Sequence, residues 1–189
     1  VLLGPEPFEA LQHGQEATSF VSSCSNEAVM SNTLPIMIND RDVSPLFDPS
    51  VPAIPFSAPR VNEIPAPGSI IYTVWRDQID FIYVGIGGVG QSADTPLEKR
   101  NPRSRIVQHS SGRRSGDQFC VYVHDFYVIP DLIVSGKYTP DKGLLDRMTK
   151  EYIHGHLHYR YMVFQSDDSS RIVRDLETTI QRGVVGIGK

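Results

Sequence analysis

Cysteine is scarce: Cys24 and Cys120 are the only two in 189 residues, too far apart to suggest a disulfide framework and without the CxxC spacing of a cysteine zinc site. A reducing compartment, the cytoplasm, is the expected setting. Long apolar runs are missing as well. No stretch of about 18 apolar residues exists, so no segment is expected to span a membrane. The chain opens Val1-Leu2-Leu3-Gly4-Pro5, without the basic, then apolar, then small-residue order of a secretory signal. What is present is ordinary: 40% hydrophobic and 21% charged residues exclude disorder throughout and a fibrous repeat. A chain of 189 residues can bury one sizeable core and hardly a second.

An overall positive charge, the usual mark of a nucleic-acid partner, is also missing, since the net charge is -4. Its distribution is uneven. Residues 1–60 carry two basic and seven acidic side chains, whereas residues 61–189 carry sixteen and fifteen, so the longer part has a net charge of +1. The positive charge there is clustered: Lys99, Arg100, Arg103, Arg105, Arg113 and Arg114 follow one another with no acidic residue between them, and His109 sits inside the run. Such a patch seeks phosphate. Taken alone, it also fits a solvated helix face followed by a basic loop.

The pattern divides the chain at residues 67/68. Before it, a weakly periodic helix is expected between Glu6 and Met30, followed by a tract with Pro45, Pro49, Pro52, Pro55, Pro59, Pro65 and Pro67. Proline suits neither a helix interior nor a central strand, so residues 31–67 read as an extended connector wrapping the main domain. Ile36, Ile38, Leu46, Phe47, Ile54 and Phe56 are its expected anchors. From Gly68 on, Ser69–Trp75 and Phe81–Ile86 form a hairpin, and Thr95-Pro96 opens a short turn. A helix runs from Pro102 to about His109, 110–117 is a polar loop, and Gln118–Ile129 reads as an apolar strand. Two helical pieces are expected in 131–155, broken around 137–139, then a strand from His156 to Gln165. Ser169-Ser170 caps a last helix that reaches about Arg182. This order predicts an α/β (α+β) domain over 68–189, with a small, mostly antiparallel sheet flanked by helices.

Several residues in this domain carry chemistry. Tyr72 and Tyr83 lie in one hairpin with ten residues between them, so both hydroxyls can face one cleft; the alternative is two core aromatics. A phenol titrates near pH 10 and is a poor base at neutral pH without help from cations or a metal-bound water. Arg105 and His109 are spaced i, i+4 and share a helix face, where the planar fork of arginine suits a phosphate. His109 could instead be a helix C-terminal cation. Glu177 lies between Val173 and Ile180, and a carboxylate on that stripe needs a metal, naturally magnesium or manganese, or else a partner such as Arg174 or Gln181. His154, His156 and His158 alternate and could share a strand face, as zinc or nickel ligands or as a DNA- or solvent-facing row. Gly85-x-Gly87-x-x-Gly90 matches a dinucleotide fingerprint by accident: the preceding strand is a hairpin partner, and Gln91 stands where a phosphate-binding loop needs lysine. The tract reads as a flexible loop beside a site.

Ile70-Ile71-Tyr72, Tyr83-Val84-Gly85, Arg105 with His109, and Glu177, in that order, resemble the GIY-YIG endonuclease superfamily over 68–189, and the Arg–His pair most resembles its restriction-enzyme branch. Ile70 departs from the family's usual glycine, and no asparagine follows the last helix, where the family often has one. The resemblance implies a magnesium- or manganese-dependent endonuclease that cuts DNA by hydrolysis. One tyrosine would be the general base, Arg105 and the other tyrosine would support the phosphate, and Glu177 would hold the metal. Lys99, Arg100, Arg103, Arg113 and Arg114 are then the expected DNA contacts. One site per chain makes a homodimer reasonable for cutting both strands. The alternatives are a binding or interaction module that lost catalysis, and a nucleotide-binding protein built on the glycine tract.

Overall fold

A computed structural model describes residues 35–90, 95–136 and 141–183, and the expected helix between Glu6 and Met30 lies outside them. The described residues form one compact unit. In chain order, β1 (Met37–Ile38) and β2 (Arg41–Asp42) make a small hairpin, and β3 (Ile54–Pro55) follows. The long hairpin is β4 (Ser69–Arg76) with β5 (Asp80–Gly87). Next come α1 (Ser104–Ser110), α2 (Gln118–Val123), a π-helical segment (His124–Val128), α3 (Ile129–Ser135), α4 (Lys142–His156), β6 (Leu157–Phe164) and α5 (Ser169–Gln181). The result is a mixed fold with small antiparallel sheets flanked by helices. Among the described residues, no helix is long and apolar enough to cross a membrane.

The main sheet has the order β3-β6-β4-β5, with every neighbouring pair antiparallel. Its period-2 alternation sends successive side chains of β4 to opposite faces. Ile70, Tyr72 and Val74 join Phe56, Ile106, Phe119, Ile153 and Tyr159 on one side. Ile71 and Trp75 join Leu46, Phe47, Ile172, Val173, Leu176 and Ile180 on the other. Both faces of β4 are therefore covered, and its residues from Ser69 to Trp75 are all buried. The strand β5 is an edge, touched by α1 from one face and by α5 from the other.

The described part of the proline-rich tract packs on the hairpin, with the expected anchors Ile38, Leu46, Phe47 and Phe56 buried. Leu46 and Phe56 are fully buried in the two cores, Thr73 Oγ1 donates to Leu46 O at 2.8 Å, and β3 pairs with β6. Pro55 fits because β3 is an edge strand, where a missing N–H costs no ladder bond.

The expected strand Gln118–Ile129 is helical instead: α2, the π-helical segment and the start of α3. The Asp117 side chain caps α2 by accepting the Phe119 N–H at 3.1 Å, and Phe119, Cys120 and Val123 turn one helical face inward. The run has strand-like composition, but its burial follows a helical period. Pro130 sits in the first turn of α3, directly after the π-helical segment.

Candidate active site

Tyr72 stands in the middle of β4, directly opposite Gly85 in the register of the hairpin. It is 1% exposed, and its hydroxyl lies 2.7 Å from His109 Nε2. His109 is fully buried in the last turn of α1, and its Nδ1 lies 2.7 Å from Asp117 Oδ2. Three buried side chains thus make one hydrogen-bonded line from β4 through α1 to the cap of α2. The ring of Phe119 packs on His109 with centroids 4.4 Å apart. Tyr83, half-buried on β5, stands edge-on to His109 at 6.2 Å and tilted to Tyr72 at 6.4 Å. Among the described residues, nothing in the protein hydrogen-bonds its hydroxyl.

Gly85 makes the arrangement possible. A Cβ at that position would lie 2.5 Å from Tyr72 Oη and 2.7 Å from Tyr83 Cε1, so both rings pass where a side chain would be.

Arg105 and Glu177 line a cleft of about 940 Å³ at the β5 edge, and neither tyrosine nor His109 is part of its lining. Its walls are the glycine tract after β5, the segment from Thr95 through Asn101 to Arg105, and the α5 residues Arg174 and Glu177. Gly88 and Gly90 have φ of 70° and 72°, a left-handed conformation that favours glycine. Arg105 reaches the cleft while Nη1 donates to Gln108 Oε1 at 2.9 Å. Glu177 is half-buried, and burial raises its pKa against the opposing pull of Arg174 and Arg105.

The same charges reach the phenols. Burial raises the pKa of Tyr72 well above the ordinary value, and the neighbouring Tyr83 adds to it while Arg105 opposes. Burial and Glu177 raise Tyr83, again against Arg105. His109 moves the other way: burial lowers its pKa although Asp117 pulls it up. In its own site, therefore, His109 is neutral and both phenols keep their protons. Asp117 is ionised. Burial works against that, but the bonds from His109, Cys120 and Phe119 prevail and hold its carboxyl below the ordinary value.

Of the residues chosen from the sequence, Arg105 and Glu177 line the cleft, whereas Tyr72, Tyr83 and His109 pack on one another outside its lining, within electrostatic reach of Arg105. The basic run does not stay together. Lys99 lines the cleft, and Arg113 is exposed on the loop after α1. Arg100 is a correction to the expected DNA contacts: it is 5% exposed, and its guanidinium donates to Thr95 O at 2.9 Å, Asp167 O at 3.0 Å and Ser169 Oγ at 2.9 Å. It is a buried brace between the 95–100 segment and the start of α5. Arg103 and Arg114 are also partly committed to the fold: Arg103 Nε donates to Ile64 O at 2.9 Å, and Arg114 pairs with Asp146 at 2.7 Å.

The histidine row is corrected too. His154 and His156 end α4, and only His158 is on β6. His154 Nε2 lies 2.9 Å from Ser110 O, and His156 lies 3.3 Å from Asp77. Among the described residues, no cluster of three His, Cys, Asp or Glu side chains is placed to hold a metal.

Asp117 ends a polar loop in the sequence, and the apolar run after it hides its capping role. Arg174, a candidate partner of Glu177 in the sequence, is exposed on α5 and lines the cleft.

Protein-family models, curated proteins and solved structures were compared with the chain. None of them matches it.

Proposed function

We propose that this chain is a divalent-metal-dependent DNA endonuclease of the GIY-YIG kind, hydrolysing phosphodiester bonds. The observation that carries the reading is the buried 2.7 Å bond between Tyr72 Oη and His109 Nε2, within electrostatic reach of Arg105, which with Lys99 and Arg174 lines a cleft open to a phosphate. A phenol with so high a pKa cannot act as a free phenolate near neutral pH. It can pass a proton on. As the attacking water gives its proton to Tyr72 Oη, the original phenolic proton moves to His109 Nε2. The hydroxide oxygen bonds to phosphorus, the bond from phosphorus to the leaving oxygen breaks, and that oxygen takes a proton from solvent.

Arg105 pairs with the phosphate through its planar fork, and the unbonded hydroxyl of Tyr83 donates to a phosphate oxygen. Glu177 is the residue that would hold magnesium or manganese. A single half-buried carboxylate fits, because magnesium commonly uses one or two carboxylates and completes its shell with waters and substrate phosphate. Such an ion would supply charge that offsets what develops on the phosphate. A homodimer would place a site on each strand of a duplex.

One observation favours a second reading, a nucleic-acid-binding module without catalysis: Tyr72 is 1% exposed, so water reaches its hydroxyl only if bound DNA shifts part of its cover. Incubating supercoiled plasmid with the protein and magnesium or manganese separates the two. The endonuclease reading expects nicked or linear product, and expects loss of cutting but retention of DNA binding in Glu177→Ala. Wild type that binds DNA with strong salt dependence, yet cuts no better than Glu177→Ala, leaves the binding module.

A further inference from the structure

Asp117 is 2% exposed, and both of its oxygens are engaged. Oδ1 accepts the Phe119 N–H at 3.1 Å, while Oδ2 faces His109 Nδ1 at 2.7 Å and the Cys120 thiol at 3.4 Å. A carboxylate has no proton to donate, so the hydrogen of that 2.7 Å contact belongs to Nδ1. A neutral imidazole then has one acceptor left, Nε2, and the donor facing it is the Tyr72 hydroxyl.

We propose that Asp117 is a positioning residue that fixes His109 in the Nδ1–H tautomer, so that the proton leaving Tyr72 is received at Nε2 and the imidazolium so formed is paired with a buried carboxylate. This rests on the endonuclease reading above and deepens it: the proton acceptor of the site is His109, and Asp117 decides which of its nitrogens can act. The step needs no further reactant. The phenolic O–H bond breaks as the Nε2–H bond forms, and Tyr72 recovers a proton from the attacking water.

Other groups near the ring do not compete for Nδ1. Tyr72 faces it from β4, Tyr83 from β5 and Arg105 from its own helix, and the Cys120 thiol of α2 points at Asp117 and at the His109 backbone carbonyl. Burial alone disfavours the imidazolium, and Asp117 supplies the compensating charge.

Asp117 also caps α2, so a useful variant must keep the cap and change the tautomer. Asp117→Asn does both. Asparagine caps a helix as well as aspartate does. With Oδ1 still accepting the Phe119 N–H, its amide NH2 faces His109 Nδ1 and donates to it. The ring proton then moves to Nε2, which must donate to Tyr72 instead of accepting.

The experiment pairs nitrogen NMR of the His109 ring in the full chain with single-turnover plasmid cleavage across pH. Expected are an Nδ1–H ring in wild type and an Nε2–H ring in Asp117→Asn. Cleavage by Asp117→Asn should fall on the order of 10³- to 10⁴-fold with DNA affinity unchanged. The wild-type rate should fall on the acid side as His109 protonates below its ordinary pKa of about 6.5, and Asp117→Asn should lack that limb. Asp117→Ser, which caps α2 but is too short to reach Nδ1, guards against a folding defect and should lose most of the rate too.

Cleavage by Asp117→Asn within about threefold of wild type, or an Nδ1–H ring in that variant, overturns the inference. Wild type that cuts no DNA overturns the endonuclease reading instead, and the NMR result then still decides whether Asp117 sets the tautomer.

Discussion

Gly85→Ala is a small change with a large expected effect. The new Cβ would lie 2.5 Å from Tyr72 Oη, 2.7 Å from Tyr72 Cζ and 2.7 Å from Tyr83 Cε1. Non-bonded carbon contacts are comfortable at about 3.5 Å, so roughly 1 Å must be found. The Tyr72 ring has nowhere to go, being 1% exposed and bonded to His109 at 2.7 Å. Moving its hydroxyl by about 1 Å takes that bond beyond hydrogen-bonding range. Overpacking of this kind costs about 1–3 kcal/mol, and the lost bond adds about 1 kcal/mol. The total of roughly 2–4 kcal/mol lowers the melting temperature by about 6–12 °C in a chain of this size. Thermal or urea unfolding measures the stability, and single-turnover cleavage measures the site. In a Tyr72→Phe background the shortest of the three contacts is gone, so Gly85→Ala should cost less there, by more than about 0.5 kcal/mol. Wild-type stability and cleavage in Gly85→Ala would refute the close packing of Tyr72 against β5 and the need for its bond to His109.

Arg100→Ala should destabilise the fold by about 3 kcal/mol, because charge-assisted bonds to the 95–100 segment and the start of α5 are lost together. Its DNA affinity, measured under conditions where it stays folded, should match wild type; a drop like that of Arg105→Ala would return Arg100 to the DNA contacts. The His109 ring should titrate below its ordinary pKa of about 6.5 when followed by NMR, because burial disfavours its charged form. The unfolded chain therefore takes up that proton first, so the His109 contribution to stability is complete above about pH 6.5 and is lost as pH falls toward the folded pKa. Asp117 adds a further loss in more acid solution, since its carboxyl is held below the ordinary value in the folded state. A His109 midpoint at or above 6.5 would contradict the buried neutral ring.

How far the sequence reached differs by element. The β4–β5 hairpin and α5 are legible because their signals are local: runs of β-branched, aromatic and apolar residues for the strands, and Ser169-Ser170 followed by a helical stripe for α5. Residues 118–129 were misread because Phe119-Cys120-Val121-Tyr122-Val123 has strand composition, while the deciding feature, an Asp117 side chain turned back on the Phe119 N–H, is a single hydrogen bond. That one error concealed both the helix and the partner of His109.

The basic run shows a different limit. Its charge is visible, but which cations face solvent depends on hydrogen-bond acceptors that return from far away in the chain. Asp167 and Ser169 claim Arg100, and Ile64 claims Arg103. Glu177 lies on α5 and lines the cleft, while Val173 and Ile180 of the same helix are buried in the core.

The central claim is that Tyr72 and His109 act as one proton-transfer unit in DNA cleavage, and a double-mutant cycle on the single-turnover rate tests it most directly. Tyr72→Phe, His109→Ala and the double variant are compared with wild type at saturating DNA in magnesium or manganese. The account predicts that each single change lowers the rate on the order of 10²-fold or more, and that the double variant is no worse than the poorer single one, because either change breaks the same path. Losses that multiply, or a Tyr72→Phe variant that cuts at the wild-type rate, would contradict it.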